Sequence, residues 1–223
     1  MGGRLQLLRR SGAALVVGYF VALAGQAGAA ERISLPVGPG ERPVYVSVGE
    51  PTRAPIGWVE FCIRYKPECE TRPSAPRDIV LSNTAWSDLV KVNDWVNATI
   101  KPLTDLEHWG VVEQWDYPDD GYGDCEDYVL LKRRMLIQAG WPREALLITV
   151  VRDKKGDGHA VLTVKTNRGE FILDNQVNDI LAWNKTGYRF VKRQSQSDPN
   201  TWVALDEPRP APPVVSAHRN RSE

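Results

Sequence analysis

Apolar positions recur at helical spacing in NTAWSDLVKVNDWVNATI, residues 83–100, where Trp86, Leu89, Val90, Val96 and Ile100 share one stripe. Asn83 and Thr84 stand in front of the stripe as capping residues, so the spacing predicts a helix. Asn93 and Asn97 fall on the same stripe, and amides on a buried face need hydrogen-bond partners. Loop orientation, oxyanion donation, packing and capping all account for them. A second helix is predicted from Cys125 to Ala139, stopped by Gly140 and Pro142. Its apolar arc holds Tyr128, Val129, Met135, Leu136 and Ala139, with Cys125 on the same side. Lys132 interrupts that arc, while Leu130 and Ile137 lie off it. The helix is therefore expected to be buried on more than one side.

The period then changes. ALLITVVRD (145–153), HAVLTVKT (159–166) and EFILDN (170–175) are β-rich runs, and the separators KKGDG and NRG carry the turn residues of hairpins. They predict an antiparallel meander, with one or two more strands over residues 180–205 around Tyr188, Phe190 and Trp202. Residues 31–82 are rich in proline and glycine and predict loops with one or two strands, such as PVYVSV at 43–48. The pattern is that of an α+β fold, and the sequence contains no internal repeat.

Arg4, Arg9 and Arg10 precede an uncharged apolar stretch, Ser11–Ala24, and small residues at 27–30 supply a cleavage site. Residues 1–30 thus read as an export signal, with an uncleaved anchor as the alternative; the stretch is short of the about 20 residues that span a bilayer. No other stretch is apolar enough to be a membrane span. Cleavage leaves 25 basic and 28 acidic residues, a mild charge that does not suggest nucleic acid as a partner. The expected organisation is a signal at 1–30, an N-terminal segment at 31–82, one domain at 83–207 and a disordered tail at 208–223. Of three cysteines, Cys62 and Cys69 flank a small loop and read as a disulfide in an oxidising compartment, periplasmic or secreted. Cys125 is then the odd thiol.

Cys125 begins the second helix, where unpaired amides and the positive end of the helix dipole lower a thiol's pKa and stabilise an oxyanion. The bland alternative is a small apolar residue packed under the helix. A nucleophilic thiolate wants a histidine, and the chain has His108, His159 and His218, the last in the tail. If NRG closes a hairpin through a two-residue loop, His159 and Asp174 point to the same face as diagonal neighbours. Cys125, His159 and Asp174 then make a Cys–His–Asp triad. Trp109 and Trp115 read as core aromatics, with a substrate groove as the alternative.

The block GDCEDYVLLKRRMLIQAGW, the strand GHAVLTV, FILDN, and upstream VNDWVNATI resemble the bacterial transglutaminase-like cysteine proteinases, the LapG-like periplasmic family. The resemblance covers about residues 80–185. It implies a papain- and transglutaminase-like core, with the helix bearing the nucleophile packed on an antiparallel sheet, and Cys125, His159 and Asp174 as catalytic residues. Described members of that family clip surface adhesins and so release biofilm, under an inner-membrane receptor that responds to a cyclic dinucleotide. The expected partners follow: a protein substrate, an adhesin for instance, and such a receptor.

Asp116, Asp119, Asp120, Asp124, Glu126 and Asp127 crowd the approach to Cys125 and would repel one another and oppose a thiolate. Two accounts fit: solvated loop acids with helix-capping Glu126 and Asp127, or a hard cation such as Ca²⁺ with its many oxygen ligands. The resemblance implies calcium, with Asp124 and Glu126 as ligands and Asp127 as a further candidate. The leading expectation is an exported cysteine endopeptidase working through an acyl-enzyme. A transglutaminase or amidase would use the same triad, and a non-catalytic peptide-binding module would keep the fold without the chemistry.

Overall fold

The computed structural model of the chain describes residues 42–71 and 75–206; the predicted export signal and tail lie outside them. An edge strand β1 (Ser47–Thr52) leads into helix α1 (Ile56–Arg64) and then α2 (Asn83–Thr99). Strand β2 (Lys101–Pro102), helix α3 (Asp105–His108) and strand β3 (Tyr122–Gly123) frame the acidic loop, and α4 (Cys125–Gln138) follows. The rest is sheet: β4 (Leu146–Arg152), β5 (Gly158–Thr166), β6 (Gly169–Leu173), β7 (Leu181–Ala182), β8 (Arg189–Gln194) and β9 (Trp202–Asp206). Seven strands form one antiparallel sheet in the order β1-β9-β8-β4-β5-β6-β7, while β2 and β3 pair in parallel.

The helix α2 is capped one residue earlier than the spacing suggests: the Ser82 hydroxyl accepts from Ala85 N–H at 3.1 Å. Its Trp86, Leu89, Asn93 and Val96 are buried, three and four residues apart, as one helical face requires. The helix α4 is buried from Glu126 to Arg133. Tyr128 and Leu131 pack against Val96 and Ile100 on the α2 side, while Val129, Leu130 and Leu136 join the main core against the sheet. Burial on two sides is why its amphipathic pattern is poor. It ends in a Schellman motif: Gly140, at φ 91°, donates to Ile137 O and Trp141 N–H to Leu136 O at 3.0 Å.

The segment before residue 83 is more ordered than its proline and glycine content suggests. The strand there is β1, shifted from residues 43–48, and Pro51 is tolerated because β1 is an edge. The sequence reading missed α1. It buries Trp58 and Phe61 in the main core but leaves Ile56, Val59 and Ile63 exposed, so apolar residues on both faces erase the stripe. Gly57 is needed for that approach, since a Cβ there would lie 2.2 Å from the Trp115 ring. Cys62 and Cys69 form a disulfide just after it. No helix among the described residues is long and apolar enough to cross a membrane.

Candidate active site

Hairpin register places the first two groups. Leu162 pairs with Leu173 and Thr166 with Gly169, so β5 and β6 join through the two-residue loop Asn167–Arg168. That register puts His159 and Asp174 on one face, and His159 Nε2 donates to Asp174 Oδ1 at 2.8 Å in a buried contact. An ionised carboxylate only accepts, so this bond leaves Nδ1 as the acceptor nitrogen, 3.4 Å from Gln176 Nε2. Asp174 is heavily partnered. Tyr188 Oη donates to Oδ2 at 2.6 Å and Gln176 N–H to Oδ1 at 3.0 Å. Burial pushes its carboxyl up, but the bonds from His159, Tyr188 and Gln176 outweigh it and hold the group below the usual carboxylate range.

The backbone carbonyl of the same residue accepts twice more, from Asn97 Nδ2 at 2.8 Å and from Lys132 Nζ at 2.9 Å. Asn93 and Asn97 also bond Asn178, at 2.8 Å and 2.9 Å. The two amides on the α2 stripe therefore orient the loop after Asp174.

Cys125 is the first residue of α4, which packs on β5. Its thiol donates to Glu126 Oε2 at 3.1 Å, and the backbone N–H of Ala160 faces its sulfur. Ala160 follows His159 in the chain, so the sulfur rests against the backbone of the strand that carries the imidazole. Burial raises the thiol pKa well above its ordinary value, Glu126 and Asp124 raise it further, and the Ala160 amide opposes them. Among the described residues it is the one free cysteine.

The acids of the loop separate into two sets. Asp116 takes a hydroxyl bond from Tyr65 and lies 3.7 Å from Arg64 Nε, Asp119 meets Arg134 at 2.9 Å, and Asp120 meets His108 Nε2 at 2.7 Å. That pairing removes His108 as a partner for the thiol. Asp124, Glu126 and Asp127 turn inward and are joined by Asp105, which the sequence did not single out. Asp127 Oδ1 accepts from Asp116 N–H at 2.8 Å and Oδ2 from Asp124 N–H at 3.3 Å. A Cβ at Gly123 would meet Asp127 Oδ2 at 2.6 Å, so the glycine makes room for that carboxylate.

Burial and the charges of Asp124 and Asp105 push Asp127 up to about 8. Burial raises Asp105 to about 6, with Asp124 adding to it and the Gln114 amide opposing. Burial and Asp124 raise Glu126 well above its ordinary value. Asp105 Oδ1 and Asp124 Oδ1 are buried without a hydrogen-bond partner. Ligand oxygens of Asp105, Asp124 and Asp127 lie within 4.8 Å of one another, and Asp124 and Glu126 group similarly with the Cys125 sulfur. Close carboxylates with orphaned oxygens suit a hard cation.

Trp115 is a core residue, 2% exposed, whereas Trp109 is 46% exposed and stacks on His108 at 3.9 Å, against the core reading. Sequence reasoning also passed over Tyr188 and Asp105. The capping box of α3, Thr104 with Glu107, was a readable signal for that helix. Nothing local signals that Asp105 turns inward or that Tyr188 reaches Asp174 across the sheet.

Solved structures that resemble the chain include three of one protein, each with a TM-score under 0.5. Legionella pneumophila LapG in its calcium-bound form is 26% identical, with a TM-score of 0.46, over 54% of this chain and 71% of that one. The EGTA-treated form is 26% identical, at 0.45, over 56% and 68%. A further LapG structure is 28% identical, at 0.42, over 48% and 62%. No curated protein matches the chain. The profile of the bacterial transglutaminase-like cysteine proteinases matches residues 48–210, well over half of the sequence. With a cysteine-headed helix on an antiparallel sheet, the chain belongs to that family and is a transglutaminase-like cysteine protease.

Proposed function

We propose that the protein is an exported, periplasmic cysteine endopeptidase that cleaves protein substrates through an acyl-enzyme on Cys125. The observation that carries this reading is the buried His159–Asp174 pair beside the helix that Cys125 heads. His159 Nδ1 takes the Cys125 proton, the thiolate adds to the scissile carbonyl, and the first amides of α4 stabilise the oxyanion. His159 returns the proton to the departing amine, and water, deprotonated by the same imidazole, hydrolyses the thioester. Asp174 holds the imidazole tautomer and orientation throughout. The Cys62–Cys69 disulfide suits an oxidising compartment.

Asp105 and Asp124, with Glu126 and Asp127 beside them, would hold a Ca²⁺ ion; their orphaned buried oxygens support this. When bound, the ion neutralises the acids whose field raises the Cys125 pKa. The proposed substrate is a cell-surface protein, an adhesin, with an inner-membrane receptor as regulator; the family resemblance alone supports these two.

The test is cleavage of an unstructured protein such as casein, with excess Ca²⁺. Cys125→Ala and His159→Ala each lose activity by at least about a thousandfold while melting as the wild type does. Cleavage persisting in either folded variant refutes the triad. New N-termini in the cell envelope that appear with wild type but not with Cys125→Ala would identify the substrate.

A further inference from the structure

Lys132 is 0% exposed, yet its amino group meets a backbone carbonyl rather than a carboxylate. A buried lysine is costly, and an apolar side chain of the same length would fill the space without the desolvation penalty. Its position shows what the cost secures. Lys132 follows Cys125 by seven residues on α4, two turns on and roughly 10 Å along the axis, hence on the same face. The carbonyl that it holds, at 2.9 Å, belongs to Asp174. The helix that carries the nucleophile is thereby tied to the residue that orients the imidazole.

Among the described residues no other hydrogen bond runs from α4 to Asp174. Asn97 bonds the same oxygen from α2, so the carbonyl is fixed from two helices at once. Asp174 and Asp94 are the acids whose fields act on Lys132, and the Tyr128 ring lies 6.0 Å from Nζ.

We propose that Lys132 is a positioning residue: its hydrogen bond to the Asp174 carbonyl sets the distance between the His159–Asp174 pair and the Cys125 thiol. The inference rests on the triad reading and deepens it. Lys132 touches no reacting atom. Its loss should misplace the imidazole relative to the sulfur while leaving the core filled, so function falls without a loss of stability.

The test is the rate of Cys125 alkylation by iodoacetamide as a function of pH, in wild type and Lys132→Met, with excess Ca²⁺. The free thiol is single, because Cys62 and Cys69 are bonded, so the probe reads one site. Wild type reacts at neutral pH as a His-paired thiolate. In Lys132→Met the neutral-pH rate falls at least tenfold, the profile moves toward that of an isolated thiol, and casein kcat falls with KM little changed. The melting temperature of Lys132→Met at neutral pH is equal to that of wild type or higher. If Lys132→Met does not melt cooperatively, Lys132→Leu replaces it. A wild-type alkylation profile in whichever variant folds overturns the role of Lys132 and leaves the triad standing. A wild-type thiol without enhanced neutral reactivity overturns the triad reading, and this inference with it.

Discussion

Glu170 and the acids beside Cys125 are all buried carboxylates, and the fold treats them differently. Glu170, on β6, meets Lys165 Nζ at 3.1 Å and Arg193 Nη1 at 2.8 Å, and takes the Val46 amide at 3.2 Å. Asp105, Asp124, Glu126 and Asp127 have no lysine or arginine within 4.0 Å among the described residues. Further along the helix that Cys125 begins, Lys132 is buried with only a carbonyl as its hydrogen-bond partner. At Glu170 the buried charge is neutralised locally. Around Cys125 the carboxylates have no such partner and the buried amine of Lys132 meets a backbone carbonyl, an arrangement of the kind that clusters at functional sites rather than in cores.

The contrast has measurable consequences. The largest is at the neutralised site: Glu170→Gln leaves Lys165 and Arg193 without their buried counter-charge and should cost about 3–5 kcal/mol by chemical denaturation. A cost near zero would mean that the pairs are not what stabilises that face. Next comes the unbalanced cluster. Excess Ca²⁺ should raise stability by about 2.7 kcal/mol at a free concentration a hundred times Kd, and EGTA should abolish both the gain and the activity. Asp124→Asn should weaken that response; an unchanged melting temperature with and without the ion would return these acids to the role of helix caps and loop residues.

A smaller effect concerns Lys132 and pH. Burial brings it from 10.5 down to about 7. Between these values the unfolded chain holds a proton that the folded chain lacks, so this group makes stability rise as pH rises across that window. The gap in unfolding free energy between Lys132→Met and wild type should shrink from pH 7 toward pH 10, and a pH-independent gap would contradict the assignment. Smallest is Asp119→Asn, on the solvated edge of the loop. Its side chain is 71% exposed opposite Arg134, and neither melting temperature nor casein cleavage should change.

The pairing of His159 with Asp174 was legible in the sequence, and the grouping of the acids only partly so. His159 and Asp174 could be placed together because a two-residue turn dictates strand register over a few residues. Cys125 at a helix start was likewise a local pattern. The acids differ: six carboxylates close in sequence look alike until tertiary packing turns three of them toward solvent and protein cations and three inward. Asp105 arrives from α3, nineteen residues before Asp124, and Tyr188 from the loop before β8. Helix α1 was hidden because its exposed Ile56, Val59 and Ile63 serve no face of the described core. Lys132 did announce itself, as a charge in an apolar arc, but its partner carbonyl lies beyond the reach of pattern.

The central claim is that thiol and imidazole act as one unit. Cys125 alkylation followed against pH in wild type and His159→Ala, with Ca²⁺ present, tests it most directly. The account predicts thiolate-like reactivity at neutral pH in wild type that disappears in His159→Ala, returning only as alkaline pH ionises the lone thiol. Superimposable profiles from the two proteins would contradict it.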